Sequence, residues 1–574
     1  MNDDSQTPTV AGVGLVGYER VVPALLLGPL LRHVGRETAT IWVEVDQSCR
    51  VKILDTEETT FEVSGHHYAL VLLGELAEGT STEYTVELDG EQVWPAPGST
   101  HPPSRIRTLQ PDRPQRIAFG SCRVATHDTV PGRYRYGVDA LDAYAARIAG
   151  HPDDGWPDLL LMLGDQVYAD DTTQQTRARI AERRDLKQPP GAEVADFEEY
   201  TWLYHESWGD PEIRWLMSTV PIAMIFDDHD VHDDWNTSRA WRNQMRATDW
   251  WQERITGALT SYWVYQHLGN LSPEELAADE VYTKVRAAAD AGEDAGPLLR
   301  AFAQAADREA EGAKGYRWSF WRDLGSTRLV VIDSRCGRML DGDARSMLSD
   351  AEFDWIEERL DGDYDHLLIG TSVPWLMAPS LYALEAWNEQ LCADERHRPA
   401  FRRFGEKLRQ GADLEHWPAF GASFDRLARM LAEVGSARHA AVSVAPATIC
   451  VLSGDVHHSY VCEADLSALA APAQVSSRIY QITCSPMHNW VPGVMRALFW
   501  AFWNAPVGGA ISRVLSWQGR LKRPPLSWRT VGGPFFGNAI ATLVLEGRAA
   551  RVVMESSRPG ERPLEIVVAR DLSA

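Results

Sequence analysis

Six short apolar runs, each followed at once by polar side chains, constrain the fold of this chain more than any other feature. They span residues 116–119, 159–163, 222–226, 329–332, 367–369 and 449–452. Stretches with helical patterning separate them, for example residues 244–267 with the pair Trp250-Trp251. Buried strands that alternate with helices predict an α/β domain of packed layers, in which ligands collect where strands end and loops begin.

The amino-terminal part has a different pattern. Short alternating runs such as 38–43 and 84–88 are separated by turn residues such as Asp89-Gly90. This pattern is typical of a small β-sandwich of the immunoglobulin or fibronectin kind. We therefore expect a tail over residues 1–24, a β-sandwich domain over 25–110 and a larger α/β domain over 115–490.

Two stretches of the larger domain have the composition of helical insertions, near residues 273–311 and 385–433. Their charge patterning is typical of solvated surface helices, and lids over a site are the alternative interpretation. Residues 491–574 consist of an aromatic helical segment followed by strands, and we expect them to complete the same domain.

The charge balance limits the kinds of partner. The chain has 56 Lys and Arg against 81 Asp and Glu, a formal net charge of −25, so its surface repels a polyanion and nucleic-acid binding is not expected. If the substrate is itself an anionic phosphate, the positive charge that it needs must be local, and metal ions are the most economical source. Oligomeric state cannot be read from the sequence.

Cysteine usage and the amino terminus indicate the compartment. Seven cysteines, an odd number without the close spacing of a disulfide framework, suit a reducing environment. The chain starts with the acidic Met1-Asn2-Asp3-Asp4 and has neither a twin-arginine motif nor a signal core. These features predict a cytoplasmic protein.

Residues 491–516 are unusually apolar and aromatic, with the run 497–503 followed by Gly and Ala. Arg496, Asn504, Pro506 and Arg513 interrupt the segment, so it lacks the roughly 18 uninterrupted apolar residues of a membrane-spanning helix. A buried helix-turn-helix is the first expectation. A surface that contacts a membrane or a second subunit is the alternative.

The residues at the strand ends are able to bind cations or move protons. They are Cys122, Asp165, Tyr168, Asp228, His229, Asp455 and His457. Asp165 leaves a strand tip and Tyr168 follows within one turn, so both can reach one ion, and a phenolate suits a trivalent ion such as Fe³⁺. Asp455 and His457 lie two apart on an extended segment and point the same way. This set predicts a two-metal site rather than one structural ion.

Alone, each of these residues has a simpler interpretation. Cys122 would be a small buried hydrophobe, Tyr168 a core tyrosine and either Gly-Asp pair a turn or helix cap. In combination they resemble a known family. Gly164-Asp165-x-x-Tyr168 resembles the metal motif of purple acid phosphatases among the calcineurin-like metallophosphoesterases.

The whole set is similar to the alkaline phosphatase D, or PhoD-like, branch of those enzymes. There, Ser-Cys opens the catalytic domain as Ser121-Cys122 does here, and Asp-Asp-His replaces the Gly-Asn-His of the superfamily, as in Asp227-Asp228-His229. Gly-Asp-Val-His closes the set, as in residues 454–457. The resemblance covers residues 25 to 490 and implies a β-sandwich followed by a layered αββα metallophosphoesterase domain.

The resemblance also implies the metals. Cys122, Asp165, Tyr168 and His457 are expected to hold Fe³⁺. Asp165 again, with Asp228 and Asp455, is expected to hold a second, harder ion, Ca²⁺ or another divalent ion. His229 would contact the phosphate or protonate the leaving group.

The implied activity is hydrolysis of a small-molecule or lipid-like phosphate ester, as a phosphomonoesterase, a phosphodiesterase or both. Hydroxide generated at a dinuclear or larger iron and calcium site would attack the phosphorus. Arg123 and Arg335 would add bidentate contacts to phosphate oxygens, although Arg335 has a second interpretation as a structural partner of Asp333 or of the Asp227 loop.

Further polar residues near the motifs have weaker claims. His232, Asp233 and Asp234 are expected either to support the ligands or an outer metal, or to be solvated loop residues and caps. His458 is expected to support a ligand, and His488 to line the pocket. Two other classes of function stay open, a noncatalytic metal-binding interaction protein and a redox iron protein.

Overall fold

The structure is a computed structural model that describes residues 22–125, 136–151, 155–312, 315–340, 345–393, 398–436, 444–470, 474–557 and 563–573. Most of the predicted tail, residues 1–21, lies outside this described part.

The amino-terminal strands form the expected β-sandwich. They are β1 Leu25–Val34, β2 Ala39–Val45, β3 Arg50–Ile53, β4 Thr56–Thr59, β5 Phe61–Val63, β6 His66–Leu73, β7 Ser81–Glu83, β8 Val86–Leu88, β9 Glu91–Trp94 and β10 Arg105–Arg107. One sheet has the order β1-β2-β6-β5 and the other β4-β3-β8-β9, while β7 and β10 pair separately. Alternating side chains such as Ile41, Val51 and Val71 fill the space between the two sheets, as expected of strands with one face on a core.

Two larger sheets follow. Their strands are β11 Gln115–Gly120, β12 Leu159–Leu163, β13 Ile222–Ile225, β14 Phe320–Leu324, β15 Thr327–Ile332, β16 His366–Thr371, β17 Thr448–Ser453, β18 Ser459–Asp465, β19 Arg478–Thr483, β20 Ser527–Phe535, β21 Ile540–Glu546, β22 Ala549–Ser557 and β23 Leu564–Asp571. The six-stranded sheet has the order β13-β12-β11-β21-β22-β23, and the seven-stranded sheet β14-β15-β16-β17-β19-β18-β20. The carboxy-terminal strands therefore extend both sheets.

The strands predicted from apolar runs are buried on both faces, which explains why they lack polar alternation. In the seven-stranded sheet, Val331, Leu368 and Leu452 belong to the core shared with the six-stranded sheet. Their neighbours Val330, Ile369 and Val451 belong to a second core under the helices Asp350–Leu360 and Gly421–Gly435. The predicted layered α/β fold, helix layers outside two packed sheets, is confirmed.

The α-helices of the described residues are Ala140–Gly150, Gln174–Arg183, Phe197–Trp208, Pro211–Thr219, Arg239–Arg246, Trp251–Ser261, Pro273–Ala278, Glu280–Ala291, Gly296–Asp307, Asp350–Leu360, Pro379–Ala393, Pro399–Gly411, Gly421–Gly435, Ser467–Ala470, Gly493–Trp503 and Ala505–Gly519. Trp251–Ser261 continues as a π-helical turn, Tyr262–His267. No helix in the described part of the chain is long and apolar enough to cross a membrane.

The two predicted insertions have different roles. The first, near residues 273–311, packs against the β-sandwich, where Arg286 contacts Glu58 and the Ser64 amide donates to Asp294 at 2.8 Å. The second, near 385–433, contributes Glu385, Glu415 and His416 to the interior of the larger domain, where all three are buried. It therefore reaches the edge at which the strands end.

The expectation of a buried helix-turn-helix at 491–516 is wrong. Helix Gly493–Trp503 contains no buried residue, and helix Ala505–Gly519 has only Gly508 buried. Apolar composition does not bury a segment by itself, because burial requires a complementary surface. Here one face of the second helix packs on helix Pro379–Ala393, and Phe502 and Trp503 at the end of the first helix are partly buried.

Candidate metal centre

The motif residues lie together because β11, β12, β13 and β17 end at one edge of the packed sheets. The Cys122 amide donates to the carbonyl of Gly164 at 3.2 Å, and the Asp455 amide donates to Ser121 Oγ at 3.1 Å. A Cβ at Gly454 would collide with the Ser121 side chain, so this motif glycine is required by close packing.

Four of the motif residues have a left-handed backbone. The φ angles are 56° at Cys122, 53° at Asp165, 69° at Asp455 and 52° at His457. Such angles are uncommon outside glycine and cost about 1–3 kcal/mol each. The strained backbone turns each of these side chains away from its strand and towards a common centre.

The first cluster consists of Cys122, Asp165 and His457, whose ligand atoms all lie within 4.8 Å of one another. Tyr168 extends it, because its hydroxyl lies 3.3 Å from Asp165 Oδ2. Asn489, which the sequence did not single out, donates to the Tyr168 hydroxyl at 2.9 Å and lies 3.3 Å from His457 Nε2. The predicted iron ligands are thus neighbours in space.

Burial is the main influence on the pKa values of this cluster. Burial lowers the pKa of His457 to about 4, so its imidazole is neutral and able to bind a metal. Burial, with Asp165 nearby, raises the pKa values of the Cys122 thiol and the Tyr168 phenol well above their usual ranges. A positive ion is what would favour their ionised forms.

The second cluster consists of Asp165, Asp227 and Asp228, which are buried and have carboxylate oxygens within 4.8 Å of one another. Within the described residues, Asp165 Oδ1 and Asp227 Oδ2 are buried without any hydrogen-bond partner. Burial raises the pKa values of all three carboxyl groups. Unsatisfied buried oxygens are costly, and a hard cation would satisfy them. Asp165 belongs to both clusters.

Asp455 lies at the border of the second cluster. Its Oδ2 accepts from His416 Nε2 at 2.8 Å, and its Oδ1 lies 3.8 Å from Arg335. Although burial opposes ionisation, the hydrogen bond from His416 keeps the pKa of Asp455 below its usual value. A carboxylate is therefore present beside the predicted second ion.

His229 is held by an aspartate that the sequence did not single out. Its Nδ1 donates to both oxygens of Asp170, at 2.9 and 3.0 Å, and its ring centroid lies 4.8 Å from that of Tyr168. Burial lowers its pKa, but Asp170 outweighs burial and raises the pKa well above its usual value. Asp170 therefore favours the protonated imidazole of His229, which lies near both clusters and has its ligand atoms within 4.8 Å of those of Asp228 and Asp233.

Asp230 organises the backbone of both acidic loops. Its carboxylate accepts from the amides of Asp165 at 3.0 Å, Gln166 at 3.2 Å and Asp227 at 2.9 Å. Removing these bonds would leave several buried amides unpaired. Asp230 therefore links the loops that follow β12 and β13.

Arg335 lies beneath the carboxylates. It is fully buried, its Nε contacts Asp227, and its Nη atoms lie 3.1 Å from Asp228 and 2.6 Å from Glu415. A guanidinium that is fully buried among three carboxylates has no edge open to a phosphate. The structure thus differs from the predicted bidentate substrate contact and has Arg335 as a structural partner of the Asp227 loop.

Arg123 is also fixed away from the two clusters. Its Nε donates to Asp139 at 2.7 Å and its Nη1 to the Ser207 carbonyl at 2.7 Å. It lines a separate cavity together with His488, whose Nδ1 lies 2.7 Å from the Val124 carbonyl. The predicted pocket role of His488 therefore concerns this neighbouring cavity.

The remaining candidates lie around the acidic loop. His232 stacks on Trp250 and Asp233 is exposed, whereas Asp234 is buried and its amide donates to Asp228 Oδ2 at 3.1 Å. Burial, together with Glu415, raises the pKa of Asp234 to about 10. Asp234 thus supports the Asp228 carboxylate through its backbone rather than as an anion.

His458 has both ring nitrogens occupied, because Nδ1 lies 2.6 Å from the Val456 carbonyl and Nε2 accepts from Trp503 at 2.8 Å. It supports the loop of His457 and is not free to bind a metal.

The family model described as PhoD-like phosphatase matches residues 135–291, and a domain of unknown function, DUF7800, matches residues 22–106. No curated protein matches the chain. The structure titled "Structure of PhoD" aligns with a TM-score of 0.56 at 11% identity, over 96% of this chain and 92% of that chain. Purple acid phosphatase PPD1 from yellow lupin (Lupinus luteus) seeds aligns with a TM-score of 0.45 at 10% identity, over 96% and 74%.

The family match confirms the resemblance to PhoD-like phosphatases, and the alignment with PhoD confirms the fold that it implied. The matched family region contains Asp165, Tyr168, Asp228 and His229, while Cys122, Asp455 and His457 lie outside it. The family match supports a phosphoesterase function, and the acidic and histidine clusters make metal binding plausible.

Proposed function

We propose that the protein hydrolyses phosphate esters at a two-metal centre. The observation that carries the proposal is that buried Asp165 belongs to two ligand clusters at once, one with a thiol and an imidazole and one with carboxylates alone. A ligand shared by two clusters would help to hold two ions side by side, as two-metal hydrolysis needs. The family match over residues 135–291 supports the same reaction class.

The two clusters differ in donor chemistry, which supports different ions. Cys122, Asp165, Tyr168 and His457 would hold Fe³⁺, because thiolate and phenolate are anionic donors that favour the trivalent ion. Asp165, Asp228 and Asp455 would hold a harder ion, Ca²⁺ or another divalent cation. The unpartnered oxygen of Asp227 makes that residue a further donor for the second ion.

When bound, the ions would supply the Lewis acidity that polarises a phosphate ester and lowers the pKa of water. His229 would donate a proton to the leaving oxygen from Nε2, because Asp170 occupies Nδ1 and keeps the ring protonated. Asp230 and Arg335 would hold the acidic loops in place, and neither would touch the substrate.

The substrate would be a small-molecule or lipid-like phosphate ester, cleaved as a monoester, a diester or both. The net charge of −25 disfavours a polyanionic nucleic acid. All seven cysteines are free thiols, which supports the further proposal that the protein works in the cytoplasm.

The test combines metal analysis with a panel of aryl and bis-aryl phosphates for the wild type, Asp165→Asn and Asp171→Asn. Loss of one shared ligand should remove both metals and lower turnover by at least about 100-fold. Asp171, an exposed aspartate of the same loop that pairs with Arg177, provides the matched control and should change neither.

Three outcomes would contradict the proposal. The first is that wild-type protein supplied with metals is colourless, free of iron and inactive on every ester of the panel. The second is that Asp165→Asn keeps both metals and full turnover. Full metal occupancy without turnover would instead favour a noncatalytic metal-binding protein.

A further inference from the structure

The two helices Gly493–Trp503 and Ala505–Gly519, which we call the helical hairpin, expose an unusual amount of apolar surface. Its most exposed large side chains are Val494, 82% exposed, and Trp517, 80% exposed. Others with exposed side chains are Met495, Leu498, Trp500, Val507 and Val514. Several large apolar side chains exposed on one short segment are typical of a binding site rather than of ordinary surface composition.

The second helix of the hairpin has one inward and one outward face. Gly508 is buried against Ser380 and the Phe502 carbonyl, and Gly519 lies against Trp387, so this face packs on helix Pro379–Ala393. With 100° per residue, Val507, Val514 and Trp517 lie on the opposite side. A typical surface helix has apolar side chains on its inward face and polar side chains on its outward face. This helix also has apolar side chains on its outward face.

The charge of this region is opposite to that of the rest of the chain. Residues 466–545 contain no Asp or Glu, whereas the whole chain has a net charge of −25. The basic residues in this stretch are Arg478, Arg496, Arg513, Arg520, Lys522, Arg523 and Arg529.

The five basic residues from Arg496 to Arg523 are exposed, and in the described part of the chain none of them forms an ion pair. On the outward face of the second helix, Arg513 borders the stripe of Val514 and Trp517, and Arg520 follows directly after the end of the helix. This surface combines apolar and aromatic side chains with exposed cations.

We propose that the helical hairpin docks on the surface of an anionic lipid bilayer. Interfacial helices bury Trp, Leu and Val side chains at the headgroup boundary, while Lys and Arg bind anionic headgroups. A second copy of the chain fits the surface less well, because a two-fold contact would bring the same five cations against one another. The outward stripe and the local positive charge both match the bilayer.

The hairpin lies beside the clusters of candidate metal ligands. Trp503 donates to His458 at 2.8 Å, and the ring centroid of Phe499 lies 5.1 Å from that of His458. His458 adjoins the candidate ligand His457 in sequence. Docking would therefore bring a bilayer surface close to the proposed centre, although the docking itself requires neither metal nor turnover.

The test is sedimentation of the full-length protein with vesicles of phosphatidylcholine, with and without phosphatidylglycerol. We expect the wild type to bind the mixed vesicles, to bind phosphatidylcholine alone weakly, and to be released by salt. The double variant Val514→Ser/Trp517→Ser should bind at least about tenfold more weakly. The double variant Arg513→Gln/Arg520→Gln should lose about fivefold per charge.

Ile566→Ser removes an exposed apolar side chain, 60% exposed, from β23 and should leave vesicle binding unchanged. The proposal is overturned if the wild type does not bind mixed vesicles at low salt, or if both double variants bind as tightly as the wild type. It is also overturned if the wild type is a dimer that Val514→Ser/Trp517→Ser dissociates. Turnover of a soluble aryl phosphate, measured in parallel, reports on the proposed function alone.

Discussion

The imidazole of His416 is held between two carboxylates, with Nε2 2.8 Å from Asp455 Oδ2 and Nδ1 2.5 Å from Oε1 of the buried Glu385. Burial opposes its charge, but Glu385 and Asp455 outweigh burial and raise its pKa well above the usual value. The second helical insertion thereby fixes the orientation of a candidate ligand that belongs to a different part of the chain.

We predict that His416→Gln weakens binding at the second metal site by about 10- to 100-fold, the usual cost of losing a group that orients a ligand. The ion held by Cys122, Tyr168 and His457 should be retained, because His416 acts on Asp455, which is a candidate ligand of the other ion. Metal titration followed by elemental analysis measures both sites. His151→Gln, an exposed histidine, is the control, and equal loss of both ions would contradict the assignment.

Tyr168→Phe is expected to remove the phenolate-to-iron part of the visible charge-transfer absorption of an iron-loaded protein while leaving the fold intact. Burial raises the pKa of Tyr168, so only a bound cation would make it a phenolate. Absorption spectroscopy at equal iron content makes the measurement. Tyr480→Phe, which removes a hydrogen bond of 2.9 Å to Leu572 far from the clusters, should keep the colour. Unchanged absorption in Tyr168→Phe would exclude this ligand.

Arg335→Gln is predicted to destabilise the protein by about 3–5 kcal/mol, because it leaves buried carboxylates without their cation. Asp227 and Asp228 already have raised pKa values, so the loss should shrink as pH falls and these groups become neutral. Urea unfolding across a pH series provides the measurement. Arg403→Gln at an exposed position should change stability little. A loss that does not depend on pH would contradict the explanation.

The strand ends could be predicted because their signal is local. The run 367–369 lies within a strand at His366–Thr371, and 449–452 within Thr448–Ser453. Because Asp165, Tyr168, Asp228 and Asp455 follow such strands closely in sequence, the sequence also predicted that they belong to one site. Asp170 was missed although it follows Tyr168 by two residues, because a second loop aspartate has no pattern of its own.

His416 and the helical hairpin show what the sequence does not contain. His416 comes from a charged helical stretch whose pattern is typical of surface helices, and its contact with Asp455 depends on tertiary packing. The hairpin has the composition of a core, yet Trp517 is 80% exposed. In both cases the partner surface decides burial, and that surface is formed by residues distant in sequence.

His66 of β6 joins the β-sandwich to helix Phe197–Trp208, with Nε2 2.7 Å from Glu198 and Nδ1 3.4 Å from Glu44. Burial lowers its pKa, but the two glutamates outweigh burial and raise the pKa from 6.5 to about 9. The two carboxylates therefore favour the imidazolium in the folded state.

Because the folded pKa of His66 exceeds the unfolded one, its contribution is fully present below pH 6.5 and is lost as pH rises through about 9. We expect the protein to lose on the order of 2 kcal/mol of unfolding free energy across this window, a figure reduced for partial solvent screening. His66→Asn should be less stable at pH 6 and should lose this part of the pH dependence. Urea unfolding of both proteins at matched pH makes the comparison, with the exposed His151→Asn as control. Parallel pH profiles for wild type and His66→Asn would show that this cluster does not set the stability of the contact between the β-sandwich and the larger domain.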